Sequence, residues 1–164
     1  MRKLPAATAL FAVLVLATSA TAAATDMRPF RGVTYGTDSY GPPSCAGASW
    51  QYHHEGFGEV AHLGRVTVVV DHCTYFDPVA GFATFGPGTI TLVAANGDTL
   101  ILSDWGTATL VMTPEGPTSV VDLFWQVAGG TGRFSDAAGS GGGSPISDIV
   151  AGTTTALYWG TISY

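Results

Sequence analysis

The chain has 164 residues, of which 46% are hydrophobic, 11% aromatic and only 11% charged. Twelve acidic residues outnumber six basic ones, which gives a formal net charge of −6. Nucleic acids and anionic membranes are bound by clusters of lysines and arginines, which this sequence lacks. Four Trp, six Tyr and eight Phe exclude a disordered chain and favour a packed core.

The first residues predict a secretory signal peptide. Arg2 and Lys3 provide a positive start, residues 9–17 are a short apolar run, and small residues up to Ala24 offer cleavage sites. This run is about half of the ~20 apolar residues that a membrane span needs. We therefore expect cleavage after Ala24, secretion, and one mature domain, 25–164, with neither nucleic acid nor membrane as a partner. That domain keeps four arginines, no lysine and twelve acidic residues, a net charge of −8.

The two cysteines, Cys45 and Cys73, predict a disulfide, because the expected destination is an oxidising space. Closing a loop of this size contributes ~3–4 kcal/mol when chain entropy dominates. A pair of reactive thiols is the alternative, but only His72 adjoins either cysteine to lower a thiol pKa.

Short runs rich in Val, Thr, Ile and aromatic residues follow one another, and none has the period of an amphipathic helix. Asn96-Gly97 is a strong hairpin signal. Seven or eight strands at this spacing are typical of a sandwich or a barrel. The expected strands are 30–37, 50–61, 65–75, 89–95, 99–112, 120–128 and 154–164, with 77–85 as a connector and 141–152 unassigned.

Several of these strands are apolar on both faces. In 99–112, Leu100 and Leu102 share a face with Leu110, yet Trp105 lies on the other face. Likewise, segment 120–128 places Val121, Leu123, Trp125 and Val127 on one face and Phe124 on the other. This pattern favours a barrel whose interior is filled or lines a ligand, and whose outside is partly covered.

The Gly-rich segment 129–141, GGTGRFSDAAGSG, has two interpretations. A phosphate-binding P-loop would need a Lys, which the segment lacks, and a dinucleotide-binding loop would need a third glycine where Ser135 stands. A helix would also have to follow, but further glycines follow instead. A turn between barrel strands fits better, since glycine supplies positive φ angles. Arg133 is expected to pair with a nearby Asp and fix this turn.

The order Gly-Gly-Thr-Gly-Arg-Phe and then Ala-x-Gly resembles the hallmark of the dirigent and allene oxide cyclase barrel superfamily, most closely its small secreted bacterial members. The segments 58–65 (GEVAHLGR), 95–98 (ANGD) and 160–164 (GTISY) are similar to those members as well. The resemblance implies an all-β fold, an eight-stranded antiparallel β-barrel, and a homo-oligomer, trimer or dimer. It also implies coupling or cyclisation of hydrophobic substrates without a cofactor. Because the shared motif is a turn, it identifies no catalytic residue.

Four histidines, His53, His54, His62 and His72, lie within twenty residues. No metal site is expected, because no two have the spacing of ligands on one strand face and His53 and His54 point to opposite faces. His62 is expected at a turn, bonded to the backbone.

Three residues are candidates for catalysis. Glu55 falls opposite His72 if Leu63-Gly64 is a two-residue turn, and the two could act as acid and base or form a solvated cross-strand pair. Asp104 shares a face with leucines, where desolvation would raise its carboxyl pKa, as suits a general acid. The alternative is a bulge that turns Asp104 outward to water.

The candidates for ligand binding are Phe57, Trp105 and Trp125. The leading interpretation is a secreted barrel that binds a small hydrophobic molecule inside, with a cofactor-free cyclisation, isomerisation or coupling as the candidate reaction. The alternative is a non-catalytic extracellular or cell-envelope protein that acts through its surface.

Overall fold

The computed structural model describes residues 26–164, and the predicted signal peptide lies outside the described residues. Eight antiparallel strands pair in chain order, and β1 closes the sheet on β8, so the predicted eight-stranded antiparallel barrel is confirmed. The strands are β1 (Arg28–Gly41), β2 (Trp50–Val60), β3 (Gly64–Asp77), β4 (Phe82–Ala94), β5 (Thr99–Thr113), β6 (Gly116–Gly130), β7 (Ala138–Asp148) and β8 (Thr153–Ser163). In this described part of the chain, no helix has the length and hydrophobicity to span a membrane.

The two ends of the barrel differ. The turns 61–63, 95–98 and 131–137 meet at what we call the closed end, where large apolar side chains fill the interior. Phe30 packs edge-on against Trp125 at 4.9 Å, and the Trp125 indole N–H donates to the Gly142 carbonyl at 2.9 Å. The following are at most 5% exposed: Phe30, Leu63, Leu92, Leu100, Leu102, Trp125, Phe134 and Ile162. Each such burial stabilises the fold by roughly 1.5–3 kcal/mol relative to exposure.

The Gly-rich segment is a corner at the closed end. It leaves β6, makes one 3₁₀ turn at Gly132–Phe134 and returns as β7. Gly132 has φ +58°, and a Cβ there would collide with the Asp98 carboxylate. Arg133 Nε lies 3.4 Å from that carboxylate, as expected of a residue that fixes the turn. No helix follows the glycines among the described residues, which agrees with the barrel-turn interpretation.

Two segments differ from the expected strands. β4 begins at Phe82, inside the predicted connector, because the turn after β3 occupies only residues 78–81. β7 covers much of the unassigned Gly-rich stretch, since its glycines make room for bulky neighbours on β6. A Cβ on Gly141 would collide with the Trp125 ring, and one on Gly143 would lie 2.8 Å from Leu123.

Loops 42–49, 78–81, 114–115 and 149–152 meet at the other end, which we call the open end. There the predicted Cys45–Cys73 disulfide is confirmed, with an S–S distance of 2.03 Å and a Cα–Cα distance of 6.2 Å. It ties the loop between β1 and β2 to β3. The Asn96-Gly97 hairpin, at the closed end, is also confirmed, and Gly97 has φ +87°.

Candidate functional site

The half of the barrel near the open end is hollow. Its cavity has a volume of about 450 Å³ and is lined mainly by apolar side chains. The inward-facing residues around this space are small, whereas β5 and β6 carry large inward-facing residues nearer the closed end. The small lining residues are Ala83, Ala108, Ser119, Ser147 and Ala156. Tyr40, Phe76, Leu110 and Ile149 line the cavity and are 37–53% exposed, so they form its mouth.

Aromatic rings form one continuous side of the cavity, which we call the aromatic wall: Tyr40, Trp50, Tyr52, Phe76, His72 and Phe85. Tyr40 contacts Trp50 and Tyr52 at centroid distances of 6.5 and 5.6 Å. The His72 ring stacks between Tyr52, at 4.8 Å, and Phe85, at 4.3 Å. This packing fixes the imidazole plane.

His72 and Asp104 form a hydrogen-bonded pair at the floor of the cavity. His72 Nδ1 lies 3.0 Å from Asp104 Oδ2; the Asp104 side chain has no exposed surface, whereas 11% of the His72 side chain is exposed. The other oxygen, Asp104 Oδ1, is buried and has no hydrogen-bond partner within residues 26–164. Such a pair holds the imidazole in one tautomer and orients Nε2, as a general base requires.

Irregularities in two strands bring this pair together. The β3–β4 register shifts between Asp71 and Thr74, the segment that contains His72. The β4–β5 register shifts between Phe85 and Gly88, opposite Asp104. Gly88 also provides space, because a Cβ there would collide with the His72 Cβ and lie 2.6 Å from Asp104 Oδ1.

A second carboxylate, Asp38 on β1, is linked to the first pair through Tyr52, whose ring stacks on His72. Its Oδ1 accepts from the Tyr52 hydroxyl at 2.9 Å and from His54 Nδ1 at 2.8 Å, and its Oδ2 accepts from Thr154 at 2.6 Å. Burial would raise the Asp38 pKa, but the hydrogen bonds from His54, Thr154 and Tyr52 outweigh it and hold the pKa below the usual value. Asp38 is therefore a carboxylate at neutral pH, and His54 Nδ1 is the donor to it.

Two tyrosines on the cavity surface keep their protons. Burial, helped by the nearby Asp38 charge, raises the pKa of Tyr52 well above its usual value. Burial also raises the pKa of Tyr158 to about 12, and the Asp104 charge adds to the rise. Ser147 Oγ lies 2.6 Å from Thr154 Oγ1; because Thr154 donates to Asp38, Ser147 donates to Thr154.

The structure brings together two of the three catalytic candidates. Asp104 points inward among leucines as expected, and its partner is His72. The expected Glu55–His72 pair is wrong: the turn spans residues 61–63, so His72 pairs with Tyr52 and Glu55 with Val69. Glu55 projects from the outside of the barrel, where its carboxylate lies 3.1 Å from His53.

None of the three residues expected to bind ligand lines the cavity. Phe57 and Trp105 point outward and are 67% and 43% exposed, and Trp105 stacks on Phe124 at 6.4 Å. Trp125 points inward but is 1% exposed in the filled half. The expectation failed because hydrophobicity alone does not distinguish the inner face, the outer face and the two halves of the interior.

The four histidines have separate roles. His54 is buried and His53 is outside, so the opposite faces are confirmed. His62 occupies the turn after β2, and its Nε2 lies 2.9 Å from the Pro29 carbonyl, as expected. Within residues 26–164, no three His, Cys, Asp or Glu side chains converge to hold a metal ion.

Asp38, His54 and Tyr52 were not among the candidates, although the sequence carries a signal for them. Asp38 is in phase with the buried Phe30 and Thr34 on β1, and alternation along a strand places all three on the inner face. Tyr52 and His54 share a face of β2 for the same reason. A polar residue in phase with core residues is the mark that identifies this group.

Comparisons with protein-family models, with curated proteins and with solved structures find no match to the chain. The barrel and its cavity therefore carry the functional conclusion without support from a relative.

Proposed function

We propose that this is a secreted protein that binds a small hydrophobic molecule in the open half of its barrel. The observation that carries the proposal is the hollow, mainly apolar half-barrel of about 450 Å³, beside a closed half that is packed with side chains. Cavities of ~300–1,000 Å³ with apolar walls and a few polar groups are typical of small-molecule sites. The disulfide and the predicted signal peptide support secretion.

Acid–base chemistry on the bound molecule is a second candidate function. The Asp104–His72 pair favours it, because the imidazole is oriented by a buried carboxylate and presents a free Nε2 beside an apolar cavity. A cofactor-free cyclisation or isomerisation uses such a group to move one proton. This proposal agrees with the resemblance to the dirigent and allene oxide cyclase barrels, which stays a prediction.

The rival function, action through the outer surface, has one feature in its favour. Trp105 on β5, Phe124 on β6 and Trp159 on β8 are 43–53% exposed, and only Gly142 of β7 lies between the last two. Exposed apolar patches mark contact surfaces. It offers no role for the hollow interior, so we place it second to ligand binding.

A fluorescent apolar probe, N-phenyl-1-naphthylamine, tests binding. We expect its emission to rise on mixing with the protein, and the variant Ala108→Phe to abolish the rise, because residue 108 points into the cavity. The matched control is Thr109→Phe, which places the same ring outside on the next residue of β5. Equal probe binding by both variants, or no binding by the unaltered protein, would contradict the proposal.

A further inference from the structure

The aromatic wall is backed by negative charge. The Tyr52 hydroxyl donates to Asp38, and Nδ1 of His72 donates to Asp104. A ring whose polar group donates to a carboxylate is polarised toward higher electron density. Tyr52 lines the cavity, so its ring carries more negative potential there than an isolated aromatic ring, which strengthens its attraction for cations.

Among the described residues, no arginine or lysine lies near these carboxylates at the open end. None of the residues that line the cavity is an arginine, and the described residues contain no lysine. All arginines of the described residues lie in the closed half, near the start of β1, at the start of β3 or in the 131–137 turn: Arg28, Arg31, Arg65 and Arg133. The open end instead carries Asp77, Glu115 and Asp148 in or beside its loops.

Several side-chain nitrogen and oxygen atoms beside the cavity have no hydrogen-bond partner among the described residues. Of these, His54 Nε2 and Asp104 Oδ1 are buried. His54 and His72 each direct Nδ1 at a carboxylate, so Nε2 is the ring nitrogen that remains for another partner. His72 lines the cavity with part of its side chain exposed, and no described residue bonds its Nε2, so a bound molecule can reach that nitrogen.

We infer that the cavity prefers a lipophilic amine, bound as its ammonium cation against the aromatic wall with an N–H group directed at His72. This rests on the proposed function, since it names the class of molecule for the same cavity. An ammonium group supplies N–H donors for His72 Nε2, and it gains attraction from the Tyr52 ring and from the carboxylates behind the aromatic wall. A carboxylic acid of the same shape brings a like charge, and a neutral alcohol gains only one hydrogen bond.

Three molecules that share one skeleton test the inference: 2-naphthylmethylamine, 2-naphthalenemethanol and 2-naphthoate. At pH 7 they present a cation, a neutral hydroxyl and an anion on the same ring. Isothermal titration or displacement of N-phenyl-1-naphthylamine gives the three affinities. We expect the amine to bind at least about tenfold tighter than the alcohol, and the naphthoate to bind most weakly. An alcohol or naphthoate that binds as tightly as the amine would overturn the inference.

Two variants locate the preference in the cavity. Asp104→Asn removes a charge at nearly constant shape, and we expect the ratio of amine to alcohol affinity to fall at least threefold. Asp122→Asn makes the same change in net charge on the exposed outer face of β6 and should leave the ratio unchanged. Equal ratios in both variants would show that the charge behind the wall plays no part and would overturn the inference.

Should Asp104→Asn fail to fold, a change at the mouth gives the same information. Leu110 is 53% exposed and lines the cavity, so Leu110→Arg adds a cation there with little risk to folding. We expect Leu110→Arg to weaken amine binding and strengthen naphthoate binding, whereas Thr109→Arg on the outer face should change neither affinity. Equal effects of these two variants would overturn the inference. If the cavity binds the apolar probe but none of the three molecules is preferred, the inference fails while the proposed function stands.

Discussion

Asp38 offers the sharpest test of the polar group beside the cavity. Replacing it with asparagine removes a carboxylate that has no exposed surface and accepts hydrogen bonds from Tyr52, His54 and Thr154. Breaking a buried charged pair by altering one partner costs about 3–5 kcal/mol. With a urea slope of ~2 kcal/mol/M, the unfolding midpoint of Asp38→Asn should fall by roughly 1.5–2.5 M.

A second pair provides a matched control. His53 Nδ1 lies 2.8 Å from Asp71, the same distance as in the Asp38–His54 pair, but the Asp71 side chain is 50% exposed. Exposed ion pairs contribute about 0–1 kcal/mol, so Asp71→Asn should shift the midpoint by less than about 0.5 M. Equal losses for the two variants would refute the reasoning that burial makes the Asp38 interactions costly to break.

The pH dependence gives an independent check. Because the folded state lowers the Asp38 pKa, its contribution to stability is present above the unfolded carboxyl pKa of ~3.9 and is lost as the pH falls through the lower folded value. The stability difference between the unaltered protein and Asp38→Asn should hold from pH 7 to 5 and shrink below about pH 4. A difference that grows with acid would contradict the assigned hydrogen bonds.

Three further outcomes follow from the fold. Replacing Cys45 and Cys73 with serine should lower the free energy of unfolding by about 3–4 kcal/mol, measured by urea titration, since it opens a loop with a sequence separation of 28 residues. Gly132→Ala should cost about 1–3 kcal/mol in the same assay, because φ +58° and the adjacent carboxylate both oppose a Cβ; a neutral result would contradict the corner geometry. The hydrogen bond to Asp71 raises the pKa of His53 above 6.5, and a second hydrogen bond, to Glu55, adds to the rise. NMR titration should therefore find a raised His53 pKa that Asp71→Asn lowers. The linked stability is present below pH ~6.5 and is lost as pH rises through the folded pKa.

The sequence predicted the parts of the barrel in which local rules agree with the fold. On β5 and β6, strict alternation places Leu100, Leu102, Val121 and Leu123 inside, and the structure confirms it. The Asn96-Gly97 turn and the Gly-rich corner follow from local backbone chemistry, so both could be anticipated. β7 could not, because its glycines are explained only by the bulky β6 side chains that cover them.

The site was less predictable because strand irregularities position it. A regular ladder through a two-residue turn places Glu55 opposite His72, but the real turn is longer and pairs His72 with Tyr52. The register shifts in β3 and β4 that bring His72 to Asp104 depend on neighbouring strands, and no local pattern reveals them. Which half of the barrel is hollow likewise depends on the sum of side-chain volumes from all eight strands.

The central claim, that the open half of the barrel holds a small hydrophobic molecule, can be tested directly by intermolecular nuclear Overhauser effects. The methyl groups of Ala83, Ala108 and Ala156 line the cavity, whereas those of Leu100 lie in the filled half. In a complex with N-phenyl-1-naphthylamine, we expect cross-peaks from the probe to the three alanine methyls and none to Leu100. Cross-peaks confined to outward-facing methyls, such as those of Leu157, would contradict the claim.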